Sequence, residues 1–324
     1  MQVAGDCLEL MKLMPDNSVD LVFTSPPYED ARTYGVGFKL RGEDWVKWMY
    51  ERCVEMARVC KGVVCINCEG KTRGFNYSAT PFLLLADLKR AGYAMRKPLA
   101  FYRKGIPGSG GPDWFRNDWE PVICFQQSKG KLAWSDKTAM GHKPRWAPGG
   151  AMSNRHANGK RVNSDLSNRN KWGTTPSNNY RTKERRQNGE RALEPKVAAA
   201  VSEGLKPGQK LHTKNNGSTM RVQCYDEPVL ANPGNVIKCI VGGGVMGSPL
   251  AHENEAPFPE KLAEFFIRSL CPPGGIVLDP FCGSGTVAAV AKRTGRRWIC
   301  YDLRQSQIDL TERRLATVQP ELLS

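Results

Sequence analysis

Long apolar runs are missing from this chain of 324 residues: no stretch approaches the roughly 18 apolar residues that a membrane-spanning helix needs. The opening MQVAGDCLEL lacks the basic and apolar regions of a secretory signal peptide, so a cytoplasmic protein with no membrane partner is expected. Histidine is scarce. None of His142, His156, His212 and His252 has a metal-site spacing, and no metal is expected. Acid is in deficit, with 32 Asp+Glu against 47 Lys+Arg, and the resulting +15 points to a polyanionic partner, nucleic acid first.

Cysteine is present but scattered. Eleven is an odd number, and several lie inside apolar runs, where a reduced thiol packs as a small hydrophobe. Cys65 and Cys68 form a CxxC that could join Cys53 and Cys60 in a zinc site, but Cys65 falls in a buried strand pattern and packing is the better reading. With 40% hydrophobic and 24% charged residues, the composition is that of a globular chain with a sizeable core.

Hydrophobic periodicity predicts strands over 19–23, 63–66, 100–102, 120–125, 276–278 and 298–301, and helices over 43–60, 81–90, 259–270, 286–294 and 305–318. Such alternation is the pattern of an α/β sheet. Between 133 and 232 the apolar content thins. That stretch carries 18 Lys+Arg against 8 Asp+Glu, which concentrates ten of the fifteen excess charges there. Three segments are expected: core halves at 1–132 and 233–324 bracketing a basic insert at 133–232. Arg155, Arg161, Arg181, Lys183, Arg185 and Arg186 are the expected phosphate contacts of that insert.

Two segments carry chemistry. Leu278 to Thr286, LDPFCGSGT, reads as strand, glycine turn and helix, with Asp302 closing the next strand seventeen residues past Gly285. Glycines let a ligand approach the backbone, a new helix offers free N–H groups, and an acid after the following strand can accept from a ribose diol. A nucleoside cofactor is implied; nicotinamide and S-adenosylmethionine both fit this segment. No Gly-Lys-Ser/Thr follows the turn, so it is not a phosphate-binding P-loop. A second glycine run, 242–247, matches GxGxxG, but Ser248-Pro249 come next and a loop is expected. The other segment is Thr24-Ser25-Pro26-Pro27-Tyr28, placed at the carboxyl end of a strand, where α/β sheets hold their sites. Paired Pro26 and Pro27 stiffen the backbone and supply carbonyls without donors, so Ser25 and the Ser25 and Pro26 carbonyls can form an acceptor cluster for an amino group, with Tyr28 as a stacking face.

In this order the segments resemble the amino-directed DNA methyltransferases of the permuted β class. The resemblance spans about two thirds of the chain: Gly5-Asp6-Cys7, Ser18-Val19-Asp20 leading into TSPPY, Arg116 to Ile123 as an Arg-x-x-x-Glu strand, Ala256 to Leu262, Leu278 to Thr286, and Gly295 to Trp298 ahead of Asp302. Departures are Glu253 in place of proline after His252, and Asp302 where a glutamate is usual. The resemblance implies a circularly permuted, seven-stranded Rossmann-like methyltransferase sheet with a basic target-recognition insert. In it the strands ending at Thr24 and Asp279 lie side by side, and Gly5-Asp6 neighbours the chain after Asp302. It implies S-adenosyl-L-methionine as cofactor, held by Asp6 and Cys7 at the adenine and by Pro257, Phe258, Asp279, Phe281, Gly283, Gly285, Thr286 and Asp302. It implies double-stranded DNA as substrate, a flipped base on Tyr28, and direct methyl transfer to an exocyclic amine in a bacterial, archaeal or phage-infected cell, with a cognate restriction endonuclease as a candidate partner. Ser25, where relatives acting on adenine N6 usually carry Asp and protein-glutamine methyltransferases Asn, favours cytosine N4.

Overall fold

The segment Asp20 to Thr24 has no charged residue after its first, and such a run forms a strand only where both faces of a sheet are covered. In the computed structural model it becomes β2 (Val19–Thr24), with Leu21, Val22 and Phe23 fully buried. Residues 1–29, 37–105, 110–142, 209–213, 219–223, 230–241 and 246–321 are described. In chain order the strands are β1 (Gln2–Ala4), β2, β3 (Cys60–Asn67), β4 (Thr72–Arg73), β5 (Asn76–Tyr77), β6 (Ala94–Met95), β7 (Leu99–Lys104), β8 (Trp119–Gln126), β9 (Gln209–Thr213), β10 (Thr219–Gln223), β11 (Val236–Ile240), β12 (Ile276–Asp279) and β13 (Arg297–Asp302). The helices are α1 (Cys7–Lys12), α2 (Gly42–Val59), α3 (Thr80–Arg90), α4 (Glu260–Leu270), α5 (Thr286–Arg293) and α6 (Gln305–Thr317).

The chain divides into two compact units, Met1–Gly141 with Asn232–Ser324, and His142–Ala231. In the second, β9 and β10 pair antiparallel, and His142 bridges Ala231. The first holds the main sheet, in the order β1-β13-β12-β2-β3-β8-β7-β11, with β6 on β8. Two strands thus exceed the expected seven, because β11 adds to the free edge of β7 and the two-residue β6 pairs with the end of β8. Most pairs are parallel. β8 is the exception, antiparallel to β3, β7 and β6; among the described residues no helix lies between β7 and β8 to carry the chain back across the sheet.

Alternation along the strands sorts the core. Val22, Val64 and Ile66 face Trp45, Met49, Cys53 and Met56 of α2 and Leu84 and Leu88 of α3. Leu21, Phe23, Val63 and Cys65 face Leu262, Phe266 and Ile267 of α4 and Val287 and Val290 of α5. Pro81 sits in the first turn of α3, where its missing N–H costs nothing. The elements that the periodicity predicts are observed within a few residues of their spans; the short strands β4, β5, β6, β9 and β10 are not among them, nor are β1 and α1. Both are short, and α1 rests on its cap, the Asp6 carboxylate accepting from the Leu8 amide at 2.8 Å. After the glycine run only a 3-10 turn, Pro249–Glu253, follows.

Phe266 stacks on Phe23 with ring centroids 4.6 Å apart, and both are fully buried. Phe266→Ala should therefore lower stability by about 3–5 kcal/mol, read as a fall in the urea midpoint at unchanged slope.

Candidate functional site

The carboxyl ends of β2 and β12 open onto a cleft of about 830 Å³. Its two sides come from opposite ends of the sequence. They meet because Val277 and Leu278 pair with Leu21 and Val22, and because the Thr24 hydroxyl donates to Asp279 Oδ1 at 2.6 Å across 255 residues.

On one side stand Ser25, Pro26, Pro27 and Tyr28. The Pro27 carbonyl accepts from Trp45 Nε1 of α2 at 2.9 Å, which fixes the turn. The Tyr28 hydroxyl donates to Glu120 Oε2 at 2.7 Å and accepts from Asn67 Nδ2 at 2.8 Å. Burial, then the charge of Glu120, pushes the Tyr28 phenol well above its ordinary pKa, so it stays protonated and remains a donor. The Ser25 hydroxyl reaches the Tyr28 oxygen at 3.4 Å. Arg103 of β7 closes the chain with an ion pair to Glu120 Oε1 at 2.9 Å. A proton relay of direction Ser25 to Tyr28 to Glu120 leaves the Ser25 lone pairs turned away from Tyr28. Such an oxygen is an acceptor for a neutral N–H.

The other side is the turn between β12 and α5. Gly283 has φ +50 and a Cβ there would sit 2.8 Å from Asn254 Nδ2; Gly285 has φ +73 and a Cβ would sit 2.6 Å from Thr311. Both positions need glycine. Behind the turn, fully buried Arg314 of α6 donates to the Ser284 carbonyl at 3.2 Å, to Thr286 Oγ1 at 3.0 Å and to Glu260 Oε1 at 2.6 Å. Asp302 accepts from the Gly283 amide through Oδ2 and from the Arg304 amide through Oδ1, both at 3.0 Å. Each oxygen keeps a lone pair for a further donor. Burial raises the Asp302 pKa despite those amides.

At the amino-terminal end Ala4 pairs with Asp302, and the Gly5 amide donates to the Asp302 carbonyl at 2.8 Å. Asp6 receives Arg52 Nη2 at 3.2 and 3.3 Å, and the Arg52 guanidinium lies 4.2 Å from the Trp48 ring centroid. Trp48 also packs on Phe281 and Phe38, centroids 5.6 and 5.0 Å apart, forming an aromatic floor. Cys7 borders it as a protonated thiol, its pKa pushed up to about 12 by burial. Phe258 meets the Phe23 ring edge-on at 5.8 Å.

Asp6, Cys7, Pro257, Phe258, Phe281, Gly283, Thr286 and Asp302 all line the cleft, with Ser25 to Tyr28 facing them. Asp279 and Gly285 do not. Asp279 is fully buried behind the wall, where it accepts from Thr24 and the Phe281 amide, so its contact is with the fold. Arg155, Arg161, Arg181, Lys183, Arg185 and Arg186 lie outside the described residues. Cys53, Cys60, Cys65 and Cys68 are buried thiols, and among the described residues no group of three or more His, Cys, Asp or Glu is placed to hold a metal. Asn67, Arg103, Trp48 and Arg52 line the cleft unforeseen. Nothing local marks them, since each sits in an ordinary strand or helix. Buried atoms without a partner point to a ligand here: Arg52 Nε at the aromatic floor, and Asn67 Oδ1 and Arg103 Nε by Ser25 to Tyr28.

Residues 19–313 match the N6/N4 family described as DNA methylase, which is most of the chain. The chain belongs to that family. This DNA methyltransferase is 24% identical to the Type II methyltransferase M.SfiI of Streptomyces fimbriatus, over 93% of its own length and 87% of the relative's. It is 25% identical to M.HinfI of Haemophilus influenzae, over 99% and 70% of the two chains, and 25% identical to the orphan methyltransferase M.BamHII of Bacillus amyloliquefaciens, over 93% and 89%. Among solved structures it shares its fold with the PvuII DNA methyltransferase (cytosine-N4-specific), at TM-score 0.56, 17% identity and coverage of 98% and 93%. A DNA modification methylase of Thermus thermophilus, complexed with S-adenosyl-L-methionine, matches at TM-score 0.51 and 19% identity, over 99% and 95%.

The buried Asp279 generates a pH signature in the methyltransferase. Desolvation raises its pKa to about 7, so the fold prefers the neutral acid. That contribution to stability is complete below the ordinary carboxylate pKa of about 3.9 and is lost as pH rises through about 7. Asp279→Asn should melt above the wild type at about pH 8 and lose the advantage by about pH 4; thermal unfolding across that window checks it.

Proposed function

We propose that the chain transfers the methyl group of S-adenosyl-L-methionine to the N4 amine of a cytosine within a specific sequence of double-stranded DNA. The observation that carries this reading is the single cleft in which an acceptor-rich, uncharged Ser25-Pro-Pro-Tyr28 turn faces a glycine turn backed by Asp302. The residues fit the cofactor. Asp302 has lone pairs for a ribose diol, the floor of Phe281, Trp48 and Phe38 suits an adenine with Asp6 and Cys7 at its edge, and the glycine-only turn admits close approach to the backbone. When bound, the cofactor supplies an electrophilic methyl on a sulfonium, open to direct in-line displacement by the amine.

The protein's part is to make the amine a nucleophile. A cytosine amine is weak because its lone pair is delocalised into the ring. Ser25 Oγ, with its own proton directed to Tyr28, and the Pro26 carbonyl accept the two amine hydrogens and turn the nitrogen toward tetrahedral geometry. Tyr28, held by Glu120 and Asn67, gives the base a rigid face to stack on. A base inside a duplex cannot reach this cleft, so it is flipped out, at a cost of a few kcal/mol that stacking offsets. Positioning is the largest rate term. Ser25 decides the base, since relatives with Ser at this position mostly act on cytosine and those with Asp on adenine. The basic stretch 133–232 reads the target, with Arg155, Arg161, Arg181, Lys183, Arg185 and Arg186 on phosphates. The Type II naming of relatives supports a cognate endonuclease as partner.

Labelled S-adenosylmethionine with mixed-sequence duplex, followed by digestion to nucleosides and mass identification, should give N4-methylcytosine; N6-methyladenine would sink the assignment of base to Ser25. Ser25→Ala should lower kcat by about tenfold or more and leave cofactor affinity within about twofold, because the lost contact is to the amine in the transition state. DNA affinity should fall with salt at a log–log slope of about −4 to −6, from five or six neutralised phosphates, and a flat response would take the insert off the DNA.

A further inference from the structure

Two large aromatic side chains stand in water where the fold has no use for them. Trp114 is 75% exposed and Phe115 82%, on the connection from β7 to β8, with ring centroids 5.4 Å apart and planes at 57°. β2 and β3 run parallel and β8 runs against β3, so the carboxyl end of β7 and the amino end of β8 lie at the same edge of the sheet as Ser25. Arg103, Gly105 and Glu120, at the two ends of that connection, line the cleft.

The tip is built, not loose. Gly110 has φ +93, and a Cβ there would meet the Trp114 carbonyl at 2.6 Å and the Arg116 amide at 2.7 Å, so the backbone of 114–116 packs directly against Gly110. Its base is pinned. Arg103 Nη2 donates to the Asn117 carbonyl at 2.8 Å, the Arg103 amide donates to the Asp118 carbonyl at 2.7 Å, and Arg116 pairs with Asp118. Asn117 Nδ2 donates to Glu69 Oε2 at 3.2 Å, while Glu69 Oε1 accepts from the Tyr77 hydroxyl of the β4–β5 hairpin at 2.6 Å. Through Arg103 and Glu120 the tip is two side chains from Tyr28.

We propose that Trp114 and Phe115 form a wedge that enters the DNA duplex beside the target, stacking on the bases that flank the vacated position while the target base lies against Tyr28. The inference rests on the base-amine reading above and deepens it. Extruding a base removes two stacking faces, and the duplex closes again unless something flat and apolar replaces them. Indole and phenyl rings do so without reading sequence, since every base offers a π-face. Exposed apolar area of this size is otherwise a cost to a soluble protein, and a rigid mount beside the cleft limits where it can go.

The test uses the full chain and two duplexes of the sequence that the wild type modifies, one fully paired and one with the target base opposite an abasic site. The double variant W114A/F115A should lose about ten- to hundredfold in kcat/KM on the paired duplex, the equivalent of one stacked base, and stay within about threefold of wild type on the unpaired one. Trp114→Phe, which keeps a ring, should retain most of the paired activity. Melting temperature and cofactor affinity should not move. Equal loss on both duplexes, or no loss on the paired one, overturns the wedge. A wild type that methylates no duplex at all removes the base-amine reading and the wedge together, an outcome distinct from active wild type with an indifferent tip.

Discussion

A 2.6 Å hydrogen bond between Thr24 and Asp279 joins the last residues of β2 and β12. Everything else in the site is arranged about this junction. Strands some 255 residues apart must pair in one register, Val277 on Leu21 and Leu278 on Val22, for the acceptor turn and the glycine turn to face each other. A slip of one residue would exchange the faces of the strand and carry Leu21 and Phe23 away from α4. The apolar core thereby enforces the geometry, and Phe23, stacked on Phe266 and edge-on to Phe258, ties the floor of the sheet to the wall of the cleft.

The two sides of the cleft solve different electrostatic problems. At the acceptor turn the charges of Arg103 and Glu120 neutralise each other and act on Ser25 through Tyr28. The Ser25 oxygen thus faces the cleft neutral, with its proton directed to Tyr28. At the cofactor side, Asp302 stays near the surface of the cleft with both oxygens on backbone amides, whereas Asp279 is withdrawn and its Oδ2 is left without a partner. Depth and partners together distinguish the two acids: Asp302 lines the cleft, and Asp279 lies fully buried behind its wall.

What the sequence made legible is what is local. The strand at β2, the proline-stiffened turn after it and the glycine turn after β12 are contiguous, and each carries its constraint in neighbouring residues. The resemblance also implies that Gly5-Asp6 neighbours the chain after Asp302, and Ala4 pairs with Asp302. What stayed hidden is long-range. Arg52 meets Asp6 across 46 residues, and Asn67 meets Tyr28 across 39. Each such partner is one polar residue in an otherwise ordinary element, and periodicity gives no reason to single it out. The position of Asp279 in its motif likewise does not tell on which side of the turn the carboxylate ends.

The buried Arg314 shows how the chain holds a turn that has little packing of its own. Gly283, Ser284 and Gly285 offer almost no side chain, so van der Waals contact cannot define their path. Arg314 instead takes the Ser284 carbonyl and Thr286 hydroxyl, and Glu260 neutralises it from α4, with Arg293 on the other carboxylate oxygen. An ion pair this deep adds little net stability, because desolvating both charges consumes most of the attraction. Losing Glu260 would still strand the Arg314 charge in the core, at about 3–5 kcal/mol, whereas Glu260 without Arg314 keeps Arg293. The pair therefore fixes position: it couples three helices to one glycine turn, and a turn so fixed can meet a ligand without first being ordered, which keeps the entropy cost of binding low.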